Sequence, residues 1–131
     1  MQKSIFQFSN PCLKELQFSV NLDFKSEEDE PIELSVMMER KANREKNKKE
    51  AYVDLSVIIG DKENAPFWIY VTEGASFRWN EEMDDTKVEK FLAQNASALL
   101  LGYIRPIVSS ITAASKYSAY NIPFVDFTKE E

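Results

Sequence analysis

The sequence predicts an α+β fold, a four-stranded antiparallel sheet with a broken or kinked C-terminal helix packed on one face, in a single domain spanning residues 1–131. Three observations carry that expectation. Apolar and polar residues alternate in four separate runs, the period of strands with one buried and one wet face. From Val88 onward apolar residues recur at three- and four-residue steps, the period of an amphipathic helix. At 131 residues the chain has the length of one domain, which usually runs about 100–150 residues.

The first strand is expected over Leu16–Phe24, where Leu16, Phe18, Val20, Leu22 and Phe24 interleave with Gln17, Ser19, Asn21 and Asp23. Alternation returns at Ile32, Leu34, Val36 and Met38, and again at Val53, Leu55, Val57 and Ile59. The fourth run covers Phe67–Trp79, with Phe67, Ile69, Val71, Phe77 and Trp79 on one parity. Glu73 falls on that apolar parity and Gly74 follows it, so a bulge or bend is expected there, turning the carboxylate away from the core. Links are polar. Glu27-Glu28-Asp29-Glu30 ends at Pro31 before the second strand, and Asn64-Ala65-Pro66 forms the turn before the fourth. Glu39–Glu50 carries Arg40, Lys41, Arg44, Lys46, Lys48 and Lys49, and reads as a solvated hairpin tip whose charges discourage edge-to-edge aggregation.

Thr86-Lys87-Val88-Glu89 has the capping-box spacing of a helix start, with Asp84 and Asp85 near its positive end. The face expected on the sheet runs Val88, Phe91, Leu92, Asn95, Leu99, Tyr103, Ile107 and Ile111. Pro106 cannot donate to the carbonyl of Gly102 and its ring crowds that carbonyl, so a kink or break is expected, with a second helical segment from Pro106 to about Lys116. Tyr117–Phe127 is expected to be extended, because Pro123 forbids a helix interior and Phe124, Val125 and Phe127 favour strand-like backbone.

Missing residue types exclude much chemistry. The chain has no histidine, which removes Ser-His-Asp and Cys-His nucleophiles, two-histidine zinc motifs and a histidine pH switch. Cys12 stands alone, so it closes no internal disulfide and builds no multi-thiolate metal site. Glu81, Glu82, Asp84 and Asp85 lack the loop spacing and glycine of a calcium hand. No glycine-rich phosphate loop or nucleophile elbow occurs; neither enzyme activity nor a cofactor is expected. Sixteen basic against 22 acidic side chains leave a charge of −6, and no aromatic residue interleaves with the cations of the hairpin, so no nucleic-acid partner is expected. The stretch Ala96–Ala114 carries Arg105, Pro106, Gly102 and four serine or threonine residues, too polar a load for membrane insertion. The opening Met-Gln-Lys-Ser-Ile-Phe-Gln lacks the apolar run of a secretory signal, so the expected location is cytoplasmic.

Binding is the function these residues favour. Nine Phe, five Tyr, two Trp and four Met exceed what one sheet and one broken helix hide, and such side chains suit sites that accept varied apolar partners. Met37, Trp68 and Tyr70 alternate out of phase with their apolar neighbours and are expected on the sheet's other face.

The order of elements resembles the SecB-type protein-export chaperones. Leu99-Leu100-Leu101-Gly102-Tyr103-Ile104-Arg105-Pro106-Ile107-Val108-Ser109 is similar to that family's Leu-Leu-Phe-Pro-Tyr-Ala-Arg-Glu helix segment, with Leu99, Leu100, Tyr103, Arg105 and Ser109 at matching positions. Lys14-Glu15-Leu16-Gln17-Phe18 resembles the Lys-Asp-Ile-Ser-Phe start of the family's first strand, and Val71 to Phe77 resembles the Gly-then-Phe pattern of its fourth. Asn121-Ile122-Pro123-Phe124-Val125-Asp126-Phe127 is similar to the Leu-Ala-Pro-Val-Asn-Phe closing segment. Gly102 and Pro106 stand where the family has Pro and Glu, which implies a displaced kink, and past Thr128 the family continues into another short helix and a flexible tail.

The resemblance implies an ATP-independent holdase, a homo-oligomer (dimer or dimer of dimers) with helices between two sheet layers. Its partners would be unfolded or precursor polypeptides and, through an acidic sheet face, the SecA motor. Extended client segments are expected along a groove of sheet and helix, touching Met37, Phe77, Trp79, Tyr103, Tyr117, Tyr120, Ile122 and Phe124. Dedication to one client, such as an antitoxin, is a variant of that reading. The alternative from another class is a sheet-and-helix domain enclosing a small apolar ligand, which expects a monomer with an internal cavity.

Overall fold

A computed structural model describes residues 6–25, 33–45, 47–80 and 82–129. Alternation becomes sheet in β1 (Phe6–Phe8), β2 (Cys12–Val20), β3 (Val36–Arg44), β4 (Glu50–Gly60) and β5 (Phe67–Trp79), and α1 (Asp85–Ala113) follows. All pairings are antiparallel. The order runs β3-β4-β5, and β5 takes both β1 and β2 along its far edge, at its C-terminal and N-terminal parts respectively. Five strands thus fill the four expected positions. Pro11, which has no N–H to donate, lies in the gap between β1 and β2. Ser9 spans the gap: its N–H donates to the Ser76 carbonyl at 2.9 Å, and its Oγ accepts from the Ser76 N–H at 3.0 Å.

Three boundaries differ from expectation. The first long strand begins at Cys12 and ends at Val20, because Asn21 turns the chain: its Oδ1 accepts from the Asp23 N–H at 3.2 Å and its Nδ2 donates to the Glu63 carbonyl at 3.0 Å. Leu22 is left exposed beyond that turn. β3 continues through Arg40, Lys41 and Arg44, so the basic hairpin tip begins only after Arg44. The acidic run Glu27–Glu30, together with Pro31, Ile32, Lys46 and Glu81, lies outside the described residues.

Gly60 closes the turn into β5. It has φ of 81°, a left-handed conformation, and a Cβ there would sit 2.0 Å from the Phe67 carbonyl oxygen. Asp61 fixes the rest of the turn, its Oδ1 accepting from the N–H groups of Glu63 at 2.7 Å and Asn64 at 3.2 Å.

Register sets which side chains go inside. Val53 faces Ala75, Val57 faces Val71 and Ile59 faces Ile69, and all six are buried beneath α1. Each Val, Leu or Ile buried this way contributes about 1.5–3 kcal/mol. Val88, Leu92, Ala96, Leu100, Ile104, Val108 and Thr112 form the buried stripe of the helix, at four-residue spacing. That stripe shares Val88 and Leu92 with the expected face and departs from it by one row elsewhere; Phe91, Leu99, Ile107 and Ile111 are half-buried, and Asn95 and Tyr103 are exposed.

The helix starts two residues before the expected capping box, with Asp84 as N-cap accepting from the Lys87 N–H at 2.9 Å. It runs as one element to Ala113 and does not break at Pro106. Gly102 and Pro106 both face solvent, and nothing lies within 4 Å of a Cβ at Gly102, so water can reach the carbonyl that proline leaves without a donor. By length and composition α1 also reaches the range of a bilayer-crossing helix, contrary to the reading of Ala96–Ala114; its buried stripe packs against the sheet. Gly60→Ala is expected to lower the unfolding free energy by about 2 kcal/mol or more in a urea titration, combining left-handed strain with the clash against Phe67. Wild-type stability in that variant would contradict the turn geometry.

Candidate functional site

Electrostatic contacts fix where the helix begins. Arg44 on β3 meets Asp85 at 3.1 Å and Glu89 at 3.9 Å and lies over the Trp79 ring at 5.3 Å, while Lys49 meets Glu82 at 3.1 Å. The basic hairpin tip and the acidic helix start therefore answer one another, each exposed pair contributing about 0–1 kcal/mol. Among the described residues no cluster of His, Cys, Asp or Glu could hold a metal ion.

From the far end of α1 the chain turns back along the helix. Tyr117 donates its hydroxyl to the Asn21 carbonyl at 3.0 Å, Tyr120 meets Phe67 edge-on at 6.2 Å, and Ile122 is buried in the core. Thr112 Oγ1 accepts from the Tyr120 N–H at 2.8 Å. Arg105 donates to the carbonyl of Ile122 and, at 3.0 Å, to that of Pro123. Val125 and Phe127 then pack against the core beside Val36 and Met38 of β3, leaving a depression of about 450 Å³ open between strand, helix and returning segment. The segment is irregular, as expected for an extended stretch, and joins no sheet.

The expected client contacts divide three ways. Met37, Tyr103 and Phe124 are exposed, at 59%, 43% and 96%. Tyr117 and Tyr120 are half-buried on the returning segment. Phe77, Trp79 and Ile122 are buried in this subunit, the first two because they share the inner parity of β5 beneath α1, the third because the returning segment presses it into the core. The contacts missed from the sequence are Arg105 and Thr112. Single polar residues in an apolar helix show no periodic signal, although Arg105 belongs to the matched helix segment.

The outer sheet face differs from a uniformly acidic one. Lys14 pairs with Asp54 at 3.0 Å, and Glu15, Glu39 and Lys41 share their depression, so both signs of charge alternate. The Asp54 hydrogen bond holds the Lys14 ammonium above its ordinary pKa. Gly74 leaves the room for that pair, since a Cβ there would lie 2.2 Å from Asp54 Oδ1. Met37 is opposite Ile58, and Trp68 stacks on Tyr70 at 6.4 Å, an apolar end to the same face as expected from their parity. Both this depression and the one beside β3 open to solvent and are lined by polar as well as apolar side chains.

Glu73 overturns another expectation. β5 stays regular and keeps the carboxylate on the inner parity opposite Leu55, where it is 4% exposed; Oε2 has no hydrogen-bond partner. The bulge is in the neighbouring strand, where Lys14 is the extra residue between Leu13 and Glu15. Burial pushes the Glu73 carboxyl above its ordinary pKa.

A family model described as preprotein translocase subunit SecB matches residues 2–129. The chain belongs to the SecB family. It is 29% identical over 125 residues to the protein MJ0357 of Methanocaldococcus jannaschii, covering 92% of this chain and 79% of that one. In fold it is similar to the SecB-like chaperone Rv1957 of Mycobacterium tuberculosis, solved with a ChAD peptide from the HigA1 antitoxin Rv1956, at TM-score 0.72 and 14% identity, covering 92% of this chain and 90% of that one. A Streptococcus agalactiae protein of unknown function is similar at TM-score 0.53 and 17% identity, covering 91% and 97%. SecB membership makes this chain a chaperone that binds unfolded polypeptide.

The buried carboxylate supplies a test. A Glu with a raised folded-state pKa binds more protons folded than unfolded, so its burial penalty is absent below the ordinary value near 4.3 and full above the raised one. Glu73→Met is therefore expected to raise Tm at pH 7.5 by about 3–6 °C, roughly 1 kcal/mol, with the gain shrinking toward pH 4. An equal gain at both pH values would contradict the ionic origin.

Proposed function

We propose that this SecB-family chain is an ATP-independent holdase, working without catalysis in the cytosol, that keeps extended segments of non-native polypeptide soluble along the helix side of the sheet. The observation that carries this reading is the unmatched apolar surface. Tyr103 is exposed on α1 while Leu99 and Ile107 beside it are half-buried, and Phe124 stands almost fully in solvent next to the depression lined by Val36 and Met38. Tyr117, Tyr120 and Phe124 on the helix side are the contacts proposed for clients, while Met37 lies on the opposite sheet face and Tyr103 in the outward row of α1. Many weak apolar contacts give loose specificity, and a charge of −6 keeps a loaded complex soluble.

The exposed row of α1 fits a second copy of this chain better than water. Leu99, Tyr103 and Ile107 flank Gly102, which has open space around it, so another helix can approach closely there. The proposal is a homo-oligomer built on this row, with clients bound at its margins. Among the described residues its outer sheet face carries Lys14 and Lys41 among Glu15, Glu39 and Asp54, and the proposed role is holding the client. The peptide-bound M. tuberculosis neighbour supports a second form of the same reading, a chaperone dedicated to one client.

Aggregation of several unrelated, slowly refolding proteins should fall sharply at molar excess of the chain; suppression of one client only would favour the dedicated form, and no effect on any would contradict a holdase. Light scattering should give the mass of an oligomer, and Tyr103→Glu should shift it toward the monomer by placing a charge in the helix contact. A wild-type monomer would remove the proposed assembly.

A further inference from the structure

The segment that returns along α1 is held in an unusual way. Among the described residues, 117–126 make no main-chain to main-chain hydrogen bond and belong to no helix or strand. Two helix side chains, Thr112 and Arg105, take up its main chain, at the Tyr120 N–H and at the carbonyls of Ile122 and Pro123. Such contacts recognise groups that every residue carries, so they specify an extended backbone and not a particular sequence. Side-chain anchoring is uneven: Ile122 is buried, Tyr120 and Val125 are half-buried, and Phe124 is 96% exposed. Beyond Pro123 the segment leaves the channel incompletely filled, with about 450 Å³ open between Val125, Phe127, Ser97, Leu55, Val36 and Met38.

We infer that this channel between α1 and β3 is a binding surface for extended polypeptide, that residues 117–127 occupy it as a built-in substitute, and that a client binds by exchanging with them, its main chain taken up by Arg105 and Thr112. The inference rests on the holdase reading and deepens it. Partner chemistry follows from the occupant: an extended stretch with an apolar residue for the Ile122 pocket, a main-chain N–H for Thr112 and two successive carbonyls for Arg105. A strap without a ladder of main-chain bonds opens at low free-energy cost, and the apparent affinity for a client is reduced by the fraction of time it stays closed.

Hydrogen exchange on the full chain, with and without reduced and carboxymethylated lactalbumin as a permanently unfolded probe, tests the exchange. Binding should speed exchange of the Tyr120 amide, which donates to Thr112, by about tenfold or more while the α1 amides keep their protection. A bound probe with the Tyr120 amide unchanged or slowed would overturn the inference and leave the holdase reading standing. Failure of the probe to bind at all would overturn the holdase reading and this inference with it. Full-length Arg105→Met, which has no N–H to offer the client carbonyls, should lose more affinity than Arg105→Lys, which keeps a side-chain donor. Should the Met variant fail to fold, the exchange experiment still decides the matter.

Discussion

A single helix has to cover a sheet wider than itself. An α-helix with its side chains is about 10–12 Å across, whereas four strand positions at roughly 4.8 Å spacing span more than that. α1 buries the inner faces of β4 and β5: Val53, Val57, Ile69 and Val71 of the strands and Val88, Leu92, Leu100 and Ile104 of the helix are all buried. It leaves the flanking strands unfinished, with Leu16, Phe18, Val36 and Met38 only partly buried. The rest of the architecture follows from that mismatch. The segment after α1 returns to cover the β3 side, and among the described residues the outward row of the helix keeps Leu99, Tyr103 and Ile107 partly or fully exposed.

Polar groups reinforce the arrangement at its ends. Arg44 draws the helix start to the edge strand through Asp85 and Glu89, while Thr112 and Arg105 tie the returning segment to the helix. Glu73 is the exception, a carboxylate held on the inner face with one oxygen unpartnered. Its burial is a local cost that a well-packed apolar residue would not carry.

Much of this was legible in the chain. Alternation located the four long strands and gave the span of β5, and the mixed sheet-and-helix order matched a fold that the family comparison supports. What was lost has physical causes. β1 has three residues, too few to display a period. The helix row was misjudged by one position because Phe91, Leu99 and Tyr103 are as apolar as Leu92, Leu100 and Ile104, and composition cannot say which of two apolar rows meets the sheet. That ambiguity is itself the mark of a helix with more apolar surface than one sheet absorbs. Phe77 and Trp79 share the inner parity of β5, and their burial beneath α1 follows from it. Pro106 pointed to a break since sequence does not reveal that its missing bond faces water.

The account stands on apolar surface that one subunit leaves uncovered and that client chains then cover. Calorimetric titration of the full chain with a permanently unfolded polypeptide at several temperatures measures this directly, because burial of apolar area on binding carries a negative heat-capacity change. The account requires a clearly negative value that grows with the length of client bound. A heat-capacity change near zero, with affinity that collapses on adding salt, would show charge doing the binding and contradict it.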